Sequence, residues 1–158
     1  MASKYIGNQE DRSFWSEIKK HHGSFDIILD DGGHTMRQQI NTFEEMFPTL
    51  SDGGIYICED THTSYMPSFG GGLRKAGTFH EYIKDAIDKM HGWYYQSVED
   101  TKANYFCNNV HSIRIYDSLV VIEKRKKNSP FSMALGKNGH VKLRKFSDVS
   151  HLLASHKT

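Results

Sequence analysis

Long apolar runs are absent from this 158-residue chain. No stretch approaches the roughly 20 residues that a membrane-spanning helix needs. The N-terminal MASKYIGNQEDRS has no apolar core of the kind a secretory leader carries, so no membrane association and a cytoplasmic location are expected. Cysteine is scarce: Cys58 and Cys107 make no CxxC pair and no zinc-ligand spacing. Cys58 ends an apolar segment and reads as a buried thiol. No internal repeat is visible. The one glycine cluster with a phosphate-loop look, FGGGL, follows no strand directly and precedes no GK[ST], which excludes that motif.

Net charge is nearly absent too, at +1, but the sum hides an asymmetry. Residues 124–158 hold 9 of the 20 basic side chains and 1 of the 19 acidic ones, so the body is acidic and the tail basic. Such a tail can touch an anionic surface or an acidic partner. Its aromatics are too sparse for a base-stacking platform, so nucleic acid is not the expected partner, and residues 125–158 read as a solvated extension.

What the chain does have is alternation. A strand stub at Lys4 to Ile6 precedes a helix from about Ser13 to His21, with Ser13 as its cap and Phe14, Trp15 and Ile18 on one face. Phe25 to Leu29 reads as a strand buried on both sides. A helix from Met36 to Phe47 stops at Pro48, and SDGG turns the chain into a strand from Ile55 to Cys58. After the loop EDTHTSYMPSFGGG comes a helix from Phe79 to Trp93, its buried stripe Tyr82, Ile83, Ala86, Ile87 and Met90. His111 to Tyr116 and Leu119 to Lys124 form a hairpin. HVKLRKF alternates enough for a weak strand, and DVSHLLASH has the pattern of a short helix. Strands alternating with helices predict an α/β fold with a mostly parallel sheet, and the terminal hairpin predicts one antiparallel strand at its edge.

Within this order, FDIILDDGGHTMRQQ places polar chemistry where a strand ends and a helix begins, the edge of an open α/β sheet at which ligands bind. Asp30 and Asp31 follow one strand, and Glu59 and Asp60 follow the next. Neighbouring parallel strands lie about 5 Å apart, so the four carboxylates would crowd one pocket. Like charges that close are relieved by a shared hard cation, and Mg²⁺ is the natural candidate. The alternative is that one acid of each pair caps a helix while the other is solvated. His34 follows Gly32 and Gly33 and suits a general base beside such a cation, or else a hydrogen-bonding residue at a helix start. His62, Tyr65 and FGGG form either a wall of the pocket or a mobile surface loop.

GNQEDRSFW, FDIILDDGGHTMRQQINTFEEMFPTLSDGGIYICEDTHTSY, FGGG and SIRIYDSLVVIEK together resemble the C-terminal half of class I S-adenosylmethionine-dependent methyltransferases. The likeness is to the metal-dependent sugar O-methyltransferases of the macrocin and mycinamicin type, and it runs from about Tyr5 to Lys124. It implies a partial Rossmann-like methyltransferase sheet at residues 1–124, with the first βαβ unit missing. It also implies Mg²⁺ on Asp31, Glu59 and Asp60, His34 as the base that deprotonates a sugar hydroxyl, and S-adenosylmethionine near Asn8, Gln9 and Asp30. Asn8 stands where the family usually has aspartate. No glycine-rich cofactor turn follows an N-terminal strand, so the edge of Phe25 to Leu29 is expected to be open.

Three outcomes follow from that open edge: a complementing chain, a homo-oligomer, or a gene fragment that retains a metal pocket without a methyl-donor site. The alternative of another class is a non-catalytic remnant or interaction module that binds a partner through the edge and the basic tail. A hydrolase built on the same acids is a weaker alternative, since no ligands for a second metal are apparent.

Overall fold

The structure is a computed structural model describing residues 3–94, 101–135, 139 and 141–145. Helix α1 (Arg12–His21) is followed by strand β1 (Phe25–Asp30), α2 (Met36–Met46), β2 (Leu50–Cys58), α3 (Phe79–Met90), α4 (Thr101–Asn109), β3 (Val110–Tyr116), β4 (Leu119–Lys124), β5 (Phe131–Leu135) and β6 (Val141–Lys145). The main sheet runs β1-β2-β4-β3. Strand β1 is parallel to β2, and β4 is antiparallel to both β2 and β3. Three strands thus share a direction and one opposes them, which is the expected mixed α/β sheet.

Helix ends follow local chemistry. Asp11, not Ser13, caps α1: its carboxylate accepts from Ser13 N at 2.8 Å. Lys19, Lys20 and His21 face the carbonyl end. Helix α2 starts with a reciprocal capping box, in which Gln38 N donates to Thr35 Oγ1 and Thr35 N donates to Gln38 Oε1. Arg12 bonds Glu44 and Glu45, and Lys19 bonds Glu45, so α1 is tied to α2 through its rim.

The core lies on the helix side of the sheet. Phe43 and Phe47 meet Tyr56, Phe79, Ile83, Phe106, Val120 and Ile122 there, all buried. Residues of opposite parity point away from the helices. Ile27 is 65% exposed and Leu29 57%, with Ile55, Ile57 and Val121 half-buried beside them. The expectation that β1 is buried on both sides is therefore corrected. Among the described residues the helices cover one face only, and β1 is an edge strand, as expected.

Other corrections are local. Lys4 to Ile6 is not a strand: among the described residues no neighbour pairs with it, and Ile6 is 87% exposed. SDGG stays inside β2, where Gly53 at φ 87° creates an irregularity that shifts the register from Phe25↔Leu50 to Ile27↔Ile55. Helix α2 ends at Met46 and tightens into a 3₁₀ turn at Phe47–Thr49, while α3 ends at Met90, followed by a separate turn at Gly92–Tyr94. Helix α4 was not foreseen, because Tyr105, Phe106 and Cys107 are contiguous instead of spaced along a face. The antiparallel strand is interior, not at the edge. Val120 and Ile122 make β4 the more apolar arm of the hairpin, and it docks on β2, leaving β3 with Arg114 outside.

Lys124 closes β4. Its Nζ donates to the carbonyls of Pro48 and Leu50, each at 2.7 Å, pinning the strand's end to the start of β2. HVKLRKF does contain a strand, β6, paired with β5 in a separate two-stranded sheet. DVSHLLASH lies outside the described residues. No described helix is long and apolar enough to cross a membrane.

Candidate cation and base site

The parallel pairing of β1 and β2 sets the site. Asp30 lies opposite Cys58, and Glu59 N donates to Asp30 O at 3.0 Å, so both strands end at one level. The acidic pairs therefore emerge side by side.

Asp30 points inward and is 6% exposed. Its Oδ1 accepts from Gln9 Nε2 at 2.8 Å, and its Oδ2 accepts from the Tyr56 hydroxyl at 2.7 Å. Burial raises its pKa, and the bonds from Tyr56 and Gln9 oppose that rise. Tyr56 is fully buried, and its pKa goes well up, first through burial and then through the Asp30 charge. Burial does the same to the Cys58 thiol, a free cysteine like Cys107.

Gln9 is a brace. Its Nε2 also donates to Thr42 Oγ1 at 2.7 Å, and its Oε1 accepts from Gly33 N at 2.6 Å. A Cβ on Gly32 would lie 2.5 Å from that Oε1, so the turn after β1 needs glycine for Gln9 to reach in. Asn8 is exposed and accepts from Glu10 N at 3.0 Å, within its own turn.

Asp31, one residue on, faces the other way. Among the described residues, Asp31, His34 and Asp60 bring one ligand atom each to within 4.8 Å of one another. The Glu59 carboxylate is not in that group. Glu59 is half-buried, and its carbonyl accepts from Gln39 Nε2 at 3.2 Å. His34 Nε2 lies 3.5 Å from Asp60 Oδ2, and Phe69 meets the His34 ring edge-on at 6.4 Å between centroids.

Asp60 adopts a left-handed backbone, φ 51° and ψ 36°, uncommon for a residue with a Cβ. The surroundings impose it. Thr63 N donates to Asp60 O at 3.1 Å, and Thr61 N donates to Ser118 O at 3.1 Å. The buried Thr63 hydroxyl lies 2.8 Å from Asp60 O and 3.0 Å from His34 O, so one side chain joins the two segments that carry the site. Gly71 packs against this turn: a Cβ there would fall 2.4 Å from Thr63 O. His62 Nδ1 lies 2.5 Å from Ser118 Oγ and 3.8 Å from Asp60 Oδ1. Tyr65 is exposed and packs its ring on His80 at 5.1 Å.

Beside this cluster, along the open edge of β1, a groove of about 370 Å³ is lined by Gln9, Trp15, Leu29, Asp30, Asp31 and Gly32 among others. A cavity of about 480 Å³ among Phe43, Phe47, Tyr82, Tyr105 and Phe106, with Arg12, Glu44 and Lys89 at its rim, is lined by none of Asp30, Asp31, Glu59 and Asp60.

No protein-family model matches the chain. L-olivosyl-oleandolide 3-O-methyltransferase of Streptomyces antibioticus is 36% identical over 134 residues, which cover 81% of this chain and 34% of that protein. Mycinamicin VI 2''-O-methyltransferase of Micromonospora griseorubida is 31% identical over 121 residues, which cover 75% of this chain and 30% of that protein. MycE methyltransferase from the mycinamycin biosynthetic pathway, in complex with Mg and SAH, superposes with a TM-score of 0.71 at 30% identity over 77% of this chain and 32% of that one. A second crystal form gives 0.74 at 26% identity over 98% and 38%. The chain is homologous to the sugar O-methyltransferases of the macrocin and mycinamicin type. It spans about a third of the length of these relatives.

Against that family resemblance, Thr63, Ser118 and Tyr56 are the residues that sequence reasoning missed. THTSY offered Thr63 as one polar residue among several, and Asp117-Ser118 read only as a hairpin turn. Nothing local in the sequence couples either to Asp60. Tyr56 sat in an apolar strand with no sign that its hydroxyl would meet Asp30.

Proposed function

We propose that this chain supplies the cation-binding and proton-accepting part of an S-adenosylmethionine-dependent O-methyltransferase site that acts on a hydroxyl of a sugar or similar natural product. The observation that carries the reading is the convergence of Asp31, His34 and Asp60 at the ends of two parallel strands. Hard carboxylate oxygens at that spacing fit Mg²⁺. Asp31 and Asp60 would hold the ion, with Glu59 as the third carboxylate on the same strand end. A bound divalent ion lowers the pKa of a hydroxyl beside it. His34 then accepts the hydroxyl proton at Nε2, its ring held edge-on by Phe69 and its backbone by Thr63.

The groove beside β1 is the place for S-adenosylmethionine, the methyl source. Gln9 and Asp30 line it through their braced side chains, whereas the exposed Asn8 stands next to the groove in sequence and does not line it. Residues 1–124 carry this unit and 125–158 the basic extension. Two free buried cysteines agree with a cytoplasmic setting. The exposed Ile27 and Leu29 on an unpaired edge support completion of the site by a complementing chain or a second copy.

The same edge favours one other reading, a non-catalytic module that docks a partner through β1. Calorimetric titration with S-adenosylmethionine, with and without Mg²⁺, run beside a measurement of mass in solution, separates the two. Micromolar binding that strengthens with Mg²⁺ is expected. A folded sample indifferent to the cofactor, alone and as an oligomer, rejects the enzyme reading in favour of the module.

A further inference from the structure

The three ligand atoms that the structure gathers are two oxygens and a nitrogen, not three oxygens. That difference has a chemical meaning. Mg²⁺ prefers oxygen ligands and keeps several waters, whereas Zn²⁺, Co²⁺ and Ni²⁺ readily take imidazole. We propose that Asp31, His34 and Asp60 form a second coordination mode of this site, in which Zn²⁺ or a similar borderline divalent ion binds through His34 Nε2 and one oxygen from each aspartate. The proposal rests on reading the site as a cation site with His34 as its base.

Geometry supports the mode. Zinc bonds to nitrogen and oxygen run about 2.1 Å, so neighbouring ligands of a tetrahedral ion stand about 3.4 Å apart. His34 Nε2 and Asp60 Oδ2 stand 3.5 Å apart, and all three ligand atoms lie within 4.8 Å. Closing the set asks only for side-chain rotation at Asp31, which is exposed. The surroundings already hold the other two ligands. Phe69 packs on the His34 ring, and the Thr63 hydroxyl sits between the backbone oxygens of His34 and Asp60. Packing and hydrogen bonds of this kind orient metal ligands and raise affinity. His62 is the other nearby imidazole, and its Nδ1 is engaged with Ser118 Oγ.

The two modes share Asp31 and Asp60, so the ions exclude each other. They differ at His34. With Mg²⁺ on oxygens the Nε2 lone pair stays free to take a proton. With Zn²⁺ that lone pair is in the metal bond, and a hydroxyl brought to the site finds no base. The identity of the ion thus decides whether the site can work.

The test uses the full chain, with Mn²⁺ read by its paramagnetic resonance signal as the stand-in for Mg²⁺, Zn²⁺ read by calorimetry, and Co²⁺ by visible absorption. In the unmodified protein Zn²⁺ should displace Mn²⁺ one for one, and Co²⁺ should show absorption of tetrahedral intensity. His34→Ala and His34→Gln should each weaken Zn²⁺ by at least about tenfold and remove the Co²⁺ bands, while Mn²⁺ affinity changes by less than about threefold. Zn²⁺ affinity indifferent to both variants, equal losses for both ions, or failure of Zn²⁺ to displace Mn²⁺ would each overturn it. If Asp31→Asn abolishes Mn²⁺ binding while Zn²⁺ ignores His34, this proposal fails and the Mg²⁺ reading stands. Absence of any divalent binding rejects both.

Discussion

Tyr56→Phe removes one atom from a fully buried position, and the structure fixes what that atom does. The hydroxyl donates to Asp30 Oδ2 at 2.7 Å, and Asp30 is 6% exposed. A hydrogen bond to a buried charged acceptor is worth about 1.5–3 kcal/mol, against about 1 kcal/mol for a neutral one. Where Asp30 is ionised, the substitution should cost about 2 kcal/mol, or roughly 4–8 °C in Tm for a chain of this size.

The pH dependence carries the reasoning further. Burial raises the folded-state pKa of Asp30 above the ordinary carboxylate value. A raised carboxyl pKa means that the folded state holds its proton more tightly than the unfolded state. The penalty for burying the charge is therefore absent below the unfolded value and grows as pH rises through the folded one. Losing the Tyr56 donor raises the folded value again. The gap between the two proteins should consequently be widest well above the folded value and shrink toward about 1 kcal/mol as pH falls below it and Asp30 takes up its proton in both. Urea unfolding of both proteins across that range measures it. A gap that is flat with pH, or below about 0.5 kcal/mol at pH 7, would refute the view that Tyr56 stabilises a buried carboxylate.

Two further outcomes are expected. Asp60→Gly relieves the left-handed backbone at the end of β2 and should leave stability equal or raise it by up to about 1 kcal/mol, while abolishing Mn²⁺ binding; thermal melts and a metal titration read the two effects separately. Replacing Ile27 and Leu29 together with lysine puts charge on the apolar side of the open edge; sedimentation should show lost self-association or lost capture of a complementing chain, with the circular dichroism spectrum unchanged.

Much of this arrangement was legible in the sequence because each clue was local. Apolar segments ending in DDGGH and ED placed the acidic pairs at strand ends, and parallel pairing of those strands brought Asp31 and Asp60 together. The spacing of Met36, Ile40, Phe43 and Phe47 placed the start of α2, while the Thr35–Gln38 capping box that fixes it came from the structure. What escaped was whatever depends on partners far away in the chain. Helix α4 lacks a spaced apolar stripe and is stabilised by packing on α3. The inward docking of β4 depends on the apolar side of β2. Asp30 and Asp31 are adjacent and chemically identical, yet the strand's alternation buries one against Tyr56 and turns the other toward His34 and Asp60. Their different tasks come from that parity, which no inspection of the acids alone would reveal.

The tip of the β3–β4 hairpin has a practical consequence. Exposed hairpin tips are ordinarily the places where a chain tolerates insertion, cleavage or permutation. Here Ser118, itself at φ 63°, accepts from Thr61 N through its carbonyl and meets His62 through its hydroxyl. A tag, fluorophore or cut between Asp117 and Ser118 would leave the sheet standing and unseat the turn that carries Asp60. Engineers looking for a silent attachment point on this scaffold should leave this corner intact, because it is a foundation of the site in the outward form of a loop.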